Sequence, residues 1–600
     1  MILVALPYFV IKYIAFLRHR QAPHKSPHFT FPLSLPTFSS QSTHSPSNYH
    51  GVKERAADIM LRSSTADHVT GLTCVLLVTI ATWYLISYLV SPLRRFPGPF
   101  VAGKRILFLD SPNKLLTDCF VFAANIRIGW TNLWRMFQVR QGKYQLVIQD
   151  LHRKYGPVVR IAPNVLDLDF PELIKTIYNA KEDYLKAKFY HGSSAKSDGK
   201  IIYNLFSECT PEIHAKQKRP ISTHYSLKGI LSLEPHIDVM IRYFCERLEE
   251  EFIDAPNDTR ICDIGEWISF YTWDVVGQVL FSQPIGYLEQ GCDFNHSIRN
   301  ADTAMDYFSL VGQMPILDHL LDKNPIYRLG PPSFGPITNI SIQHLVDRLQ
   351  NKNNDYHDPS KPDFLDKFIE TKEKYPAVVD DTQIVSYLMF NMIAGADTTG
   401  ITLNAALYFS LKHPHVWERL RSEIPTESSN SAPAVVSYKD TRGYLYLNAI
   451  VREALRCHPA VAMLLERYVP EGGLELPNGL HIPTGCVVGM NPYVVARNKS
   501  VWGEDADVFR PERWLRNEKL ETEEEFEKRL RLMNNTDLSF GGGSRICIGK
   551  HLGLLEVYKV LATLVSRYNI DLVDPKKDWE TQNSFFVRQS GIKVRLSRRE

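Results

Sequence analysis

From about residue 141 onward, apolar positions recur at helical spacing. Residues 146–155 (LVIQDLHRKY), 242–252 (RYFCERLEEEF) and 381–411 carry apolar side chains three and four apart, the spacing of one helix face. The last of these runs for about 30 residues without a proline, which predicts a helix long enough to cross the whole body. Runs rich in β-branched residues, VVRIAP at 158–163 and the pieces 479–482, 486–490 and 591–596, predict short strands. The pattern is mainly α with small β-sheets as accessories, and no internal repeat is present.

The N-terminal part follows other rules. Residues 69–90 (VTGLTCVLLVTIATWYLISYLV) contain no charge, and as a helix they span ~33 Å, enough for a bilayer core. They are expected to form a transmembrane anchor. Arg94 and Arg95 follow directly, which by the positive-inside bias puts the downstream body in the cytoplasm. Residues 1–68 are expected to be a disordered extension, or, for 1–59, an artefact if translation starts at Met60. Residues 91–135 read as a proline hinge, Phe96-Pro97-Gly98-Pro99, followed by an atypical insert. Between about 103 and 128 that insert has no helix period and reads as an intron translated in frame.

Composition narrows the classes. The 69 basic and 66 acidic residues leave a net charge of +3, too balanced for a nucleic-acid-binding surface. Apolar residues make up 44% of the chain, sufficient for a large core. Nine cysteines lie scattered with no CxxC pair, which argues against a disulfide framework or a zinc knuckle.

One decapeptide carries most of the chemistry: Phe540-Gly541-Gly542-Gly543-Ser544-Arg545-Ile546-Cys547-Ile548-Gly549. Its glycines, Gly543 and Gly549 among them, let the backbone approach a flat cofactor and turn amide N–H groups towards a sulfur. A helix expected just after Cys547 adds the positive end of its dipole, favouring a thiolate. Arg545 can meet an anionic group at the cofactor's edge, and Phe540 supplies an apolar wall. The template F-x-x-G-x-R-x-C-x-G fixes five identities, so its chance occurrence in a chain of this length is on the order of 10⁻⁴. On these residues the chain resembles the cytochrome P450 family, in the style of fungal microsomal members of secondary metabolism. The resemblance implies a single triangular haem domain over residues 136–600, haem b ligated by Cys547 as thiolate, and oxygen-atom chemistry.

Other positions gain meaning from that frame. Glu453-x-x-Arg456 alone reads as a solvated helix pair. With Arg513 in Phe509-Arg510-Pro511-Glu512-Arg513-Trp514, the resemblance implies a buried structural cluster behind the haem. Ala394-Gly395-Ala396-Asp397-Thr398-Thr399 lies midway along the long predicted helix. Gly395 and a Thr398 hydroxyl bonded back one turn predict a local distortion there. Asp397 and Thr398 supply the acid and alcohol of a proton relay, although the bland alternative is a polar spot on a helix face. Arg467, His214 and Lys218 are expected to clamp the haem propionates; His214 and Lys218 stand where the family usually has tryptophan and arginine. The run His214-Ala215-Lys216-Gln217-Lys218-Arg219, with Lys550 and His551, is either a solvated charge run or a face for an acidic electron donor.

With Glu600 so soon after Cys547, electrons are expected from a separate NADPH-cytochrome P450 reductase, with cytochrome b5 as an optional second donor. The substrate pocket is expected at Phe390 and Asn391, residues 460–464, Phe585 and Phe586, mostly apolar and suited to a lipophilic small molecule. The expected activity is a monooxygenase in the endoplasmic reticulum membrane, single-pass with a cytoplasmic catalytic domain. Two other classes remain open: a haem-thiolate isomerase or dehydratase that needs no external electrons, and a non-enzymatic haem-binding protein.

Overall fold

The computed structural model describes residues 92–99 and 132–599 apart from 198, 255–260, 332–333, 353–354 and 427–433, and isolated positions between 71 and 86. The chain divides into residues 1–90 and 91–600. The expected extension (1–68) and the insert at 103–128 lie outside the described residues. Within the expected anchor, the described positions are helical and exposed, and Thr79 Oγ1 donates to the Val75 carbonyl one turn earlier (2.8 Å). Among the described residues, no helix is long and apolar enough to cross a membrane.

In the second unit the helical reading holds. The principal helices are α1 (Leu133–Arg140), α2 (Tyr144–Tyr155), α3 (Pro211–Lys218), α4 (Glu234–Leu248), α5 (Ile264–Phe281) and α6 (Ser297–Val311). They continue with α7 (Gly335–Leu349), α8 (Phe364–Lys374), α9 (Asp381–Lys412), α10 (Leu445–Cys457) and α11 (Lys550–Arg567). The predicted long helix is α9, 32 residues in all, and Asp380 caps its start by accepting from the Gln383 N–H (2.8 Å). Helix α5 is apolar on nearly every face, so burial of its whole surface sends it to the centre, against α4 and α9.

Strands are short and sit at the sides. β1 (Val158–Ala162), β2 (Val165–Leu168), β3 (Arg467–Tyr468) and β4 (Val487–Gly489) form one sheet in the order β1-β2-β4-β3. β2 and β4 run parallel, pairing Leu166 with Val488, while β3 runs antiparallel and sets Arg467 opposite Val488. A hairpin of β5 (Glu580–Ser584) and β6 (Phe586–Ser590) turns through Phe585 alone, whose φ of 77° is left-handed. A left-handed backbone at phenylalanine costs on the order of 1–3 kcal/mol, a strain that tends to be kept where it positions a functional side chain.

Residues 92–99, expected as a hinge, are packed rather than free-standing. Leu93 and Phe96 are buried among Val158, Leu166 and Leu168, and the Pro97 carbonyl accepts from the Arg160 N–H on β1 (2.7 Å). A side chain at Gly98 would stand 2.3 Å from the Arg160 carbonyl oxygen, so glycine permits this close approach.

The cluster expected from Glu453, Arg456 and Arg513 is present. Glu453 accepts from Arg456 Nη2 (2.7 Å) and Nε (2.9 Å), Arg513 Nε (3.3 Å), Trp514 Nε1 (2.9 Å) and the Arg510 N–H (2.9 Å). Arg456 also donates to the carbonyls of Ala496, Ala506 and Val508. One carboxylate thereby ties helix α10 to the meander of residues 496–514, with every charge answered by a hydrogen bond.

Candidate active site

A cavity of about 940 Å³ opens between α9, the β5–β6 hairpin and the segment holding Cys547. Its wall includes Met305, Phe308, Phe390, Phe585, Phe586 and Thr398. The rings of Phe206, Phe308 and Phe585 contact one another at 5.2–6.0 Å between centroids, mostly edge to face, and make a stiff aromatic side. Ala460 and Val461 line the cavity as expected, whereas Ala462, Met463 and Leu464 are buried behind it. Asn391 lines it too, but its amide is committed: the oxygen accepts from Tyr225 and the nitrogen donates to the Tyr387 carbonyl.

The Cys547 loop is shaped by glycine. Gly541 and Gly543 have φ of 70° and 64°, and a Cβ on Gly543 would fall 2.3 Å from the Asn179 carbonyl oxygen. Gly543 therefore serves the turn and its packing, not the cavity wall. Phe540, Arg545, Cys547 and Gly549 do line the cavity. The Cys547 N–H donates to the Phe540 carbonyl (2.9 Å), which fixes the sulfur's direction, and α11 begins three residues later. A side chain at Gly549 would lie 4.0 Å from Sγ, so glycine keeps the space beside the sulfur clear.

Cys547 is exposed by surface area although protein atoms surround it on nearly every side; its open surface is the cavity wall. Burial pushes its thiol up, against backbone N–H groups of Gly549 and Lys550 and the charges of Lys218 and Lys550. Those N–H groups and lysine charges oppose the burial, and a bound metal cation would add to them in favouring the thiolate.

Basic groups gather at one edge. Lys218 Nζ donates to the Ser544 carbonyl (2.7 Å), and Arg545 pairs with Glu182 (2.8 Å) while donating to the Glu208 carbonyl (2.6 Å). Arg467 stacks on Tyr178 (5.1 Å) and donates to the Glu466 carbonyl. His214 lies 3.8 Å from Glu182. Burial first, then the charges of Arg545 and Lys218, push His214 down to about 3, so it is a neutral ring among these cations. Lys186 joins them unannounced: it bridges Arg467 through the backbone, donates to the Phe206 carbonyl and lies 3.9 Å over the Tyr190 ring. Burial and the Arg467 charge hold Lys186 well below the usual lysine range, and burial and Arg545 lower Lys218. Cations that depress one another around a single acid, Glu182, make a site short of anions. That donor set fits a cofactor with carboxylates at its edge and a metal at its centre.

On α9 the two relay residues part company. Thr398 lines the cavity and its hydroxyl bonds back to the Ala394 carbonyl (2.8 Å), as the sequence predicts. The helix is continuous through Gly395. Asp397 stands behind that wall: Trp273 Nε1 donates to its Oδ1 (3.0 Å), and Oδ2 is closed off from solvent without a partner. Burial, reinforced by the charge of Asp302, pushes Asp397 up to about 7. Glu556 on α11 is a second buried acid the sequence did not single out; burial pushes it to about 8.

Comparison with known proteins agrees with this site. The family model described as Cytochrome P450 matches residues 127–596. The chain is 44% identical to the cytochrome P450 monooxygenase cfoH of Aspergillus candidus, over 88% of this chain and 92% of that one. It is 36% identical to a cytochrome P450 monooxygenase of Aspergillus terreus, over 81% and 92% of the two chains. With cicH of Emericella nidulans, also a cytochrome P450 monooxygenase, it shares 35% identity over 78% and 92%. A match spanning the whole body, with the cysteine loop on the cavity wall and the Glu453 cluster assembled, means that the chain belongs to the cytochrome P450 family.

Proposed function

We propose that the protein is a haem-thiolate monooxygenase that inserts one atom of dioxygen into a lipophilic small molecule, by hydroxylation, epoxidation or successive oxidations, in secondary-metabolite biosynthesis. The observation that carries the reading is that the Cys547 thiol and the Thr398 hydroxyl open onto one apolar cavity. When bound, haem supplies an iron that a thiolate makes electron-rich, favouring O–O cleavage. Cys547 is its ligand, and Phe540 and Gly549 leave room for a flat ring. Arg467, Lys218, Lys186 and Arg545 answer its carboxylates, with His214 as a neutral donor. The aromatic side made by Phe308, Phe585 and Phe586 orients an apolar substrate and excludes water. The Thr398 hydroxyl, held by the Ala394 carbonyl, keeps its oxygen free to accept and pass a proton at the cavity surface.

Electrons come from a separate NADPH-cytochrome P450 reductase, with cytochrome b5 as an optional second donor. The uncharged segment 69–90, followed by Arg94 and Arg95, supports a single-pass anchor in the endoplasmic reticulum membrane with the catalytic unit in the cytoplasm. The test is turnover of candidate lipophilic substrates by the full chain with reductase, NADPH and isotopically labelled dioxygen. One labelled oxygen per product and one NADPH per turnover are expected; conversion that proceeds without NADPH and without dioxygen would establish an isomerase or dehydratase instead.

A further inference from the structure

The cavity has a second charged region, apart from the basic edge beside Cys547. Lys196 lines it from a short hairpin that pairs Ala195–Ser197 with Lys200–Ile202. The Lys196 ammonium donates to the backbone carbonyls of Asn324 (3.0 Å) and, at the long limit, Lys323 (3.4 Å). Among the described residues it pairs with no carboxylate. An ammonium has three donors, so one is left over. The acids near this segment are already engaged. Asp322, also on the cavity wall, pairs with Arg328 (2.6 Å) and Lys323 (3.6 Å), while Asp318 pairs with Lys323 and accepts from the Tyr307 hydroxyl (2.9 Å). Lys196, Lys323 and Arg328 therefore stand against Asp318 and Asp322, with positive charge in excess. Asp381, the acid of α9 on the cavity wall, is held by Lys372 (2.7 Å). The hydroxyls beside the hairpin are committed too: Ser193 donates to the Tyr190 carbonyl (2.9 Å) and Ser194 to the His191 carbonyl (2.6 Å).

We propose that the Lys196 ammonium binds a carboxylate at one end of the substrate, with the apolar remainder directed along the aromatic side towards Cys547. The proposal rests on the monooxygenase reading for what happens at the other end of the molecule. In a cavity lined mostly by apolar side chains an unpaired carboxylate is costly, and a cation with a donor to spare removes that cost. A single point charge without a fork suits one carboxylate rather than a phosphate dianion, and the positive excess rejects a substrate amine. The two carbonyl contacts tie the hairpin to residues 323–324 and hold the ammonium in place before any ligand arrives, which lowers the ordering cost of binding. Lys196 touches no reacting atom. It anchors one end of the molecule, so the carbon that is oxidised lies remote from the carboxylate.

The test is equilibrium dialysis of the full-length holoprotein, at neutral pH, against ω-phenylalkanoates from hexanoate to tetradecanoate and against their primary amides. At least one acid should bind about 10- to 100-fold more tightly than its amide, the range of one charge-assisted hydrogen bond. Lys196→Gln should erase that preference while leaving the affinity for the amide within about twofold of wild type. Lys196→Arg should keep most of the preference, and added salt should reduce it. Both variants should retain the red-shifted carbon monoxide band of the reduced protein, which reports an intact cofactor site. A series in which no acid is favoured over its amide would overturn the proposal, as would a preference that survives Lys196→Gln. Equal weakening of acid and amide in Lys196→Gln would also overturn it, because the lysine would then only tie two loops together. Dialysis needs no turnover, so conversion of a substrate without NADPH and dioxygen would overturn the monooxygenase reading and leave the binding result standing.

Discussion

Arg456 lays its guanidinium edge along the carboxylate of Glu453, one turn earlier on the same helix, through contacts of 2.7 and 2.9 Å, and neither side chain is more than 2% exposed. Burial alone would raise Glu453, yet the hydrogen bonds from Arg456 and the charge of Arg513 hold it below the ordinary value of 4.5. A carboxyl lowered on folding gives stability that is full above its unfolded value and fades as pH falls through its folded one. Glu453→Gln should therefore cost about 3–5 kcal/mol at pH 7 by urea unfolding, and the gap to wild type should narrow below about pH 4.5. A gap constant with pH would disprove the ion-pair account.

Glu556 predicts the opposite sign. Its folded value is pushed to about 8, so between about 4.5 and 8 the unfolded chain ionises while the folded one does not, and stability falls with rising pH. Glu556→Gln should match wild type near pH 4 and gain on it by about 1.4 kcal/mol per pH unit up to about pH 8. Parallel stability curves for the two proteins would show that Glu556 is ionised in the fold.

Cys547→Ser should abolish the red-shifted carbon monoxide band of the reduced protein, since a serine oxygen cannot donate as a thiolate does. An unchanged band would move the ligand elsewhere.

Lys186→Gln removes one basic side chain from the anion-poor edge, where a bound carboxylate would restore its charge and form a charge-assisted hydrogen bond. A bond of that kind contributes about 1.5–3 kcal/mol, so haem transfer to an excess of a competing apoprotein should run about 10- to 100-fold faster. Equal transfer rates would take Lys186 out of cofactor binding.

Thr398→Ala should keep the carbon monoxide band and divert reducing equivalents to peroxide. The ratio of hydrogen peroxide to NADPH consumed is the measurement, and a severalfold rise is expected. No rise would remove the hydroxyl from proton transfer.

What could be read in the sequence was local or motif-borne. The long helix showed itself because no proline interrupts 32 residues, and the cysteine loop because five identities fall at fixed spacing. The Glu453 cluster needed only a helix pair and one distant arginine at a recognisable place. Lys186 stayed hidden because DYLKAK reads as a solvated stretch until a backbone bridge sets it beside Arg467. The outward aim of Asp397 was equally hidden, since it depends on Trp273, which folding brings alongside from α5. The charge state of His214 was not legible in the sequence, since it depends on burial among other cations.

The β5–β6 hairpin turns on a single left-handed residue, so it has almost no slack. It carries two rings in the cavity wall and, two residues after the second of them, the guanidinium that answers Asp302 and Asp306. A bulky guest that lifts Phe586 must therefore tug on Arg588 as well, so that reshaping the pocket at this wall also strains the ion pairs that anchor the hairpin to α6.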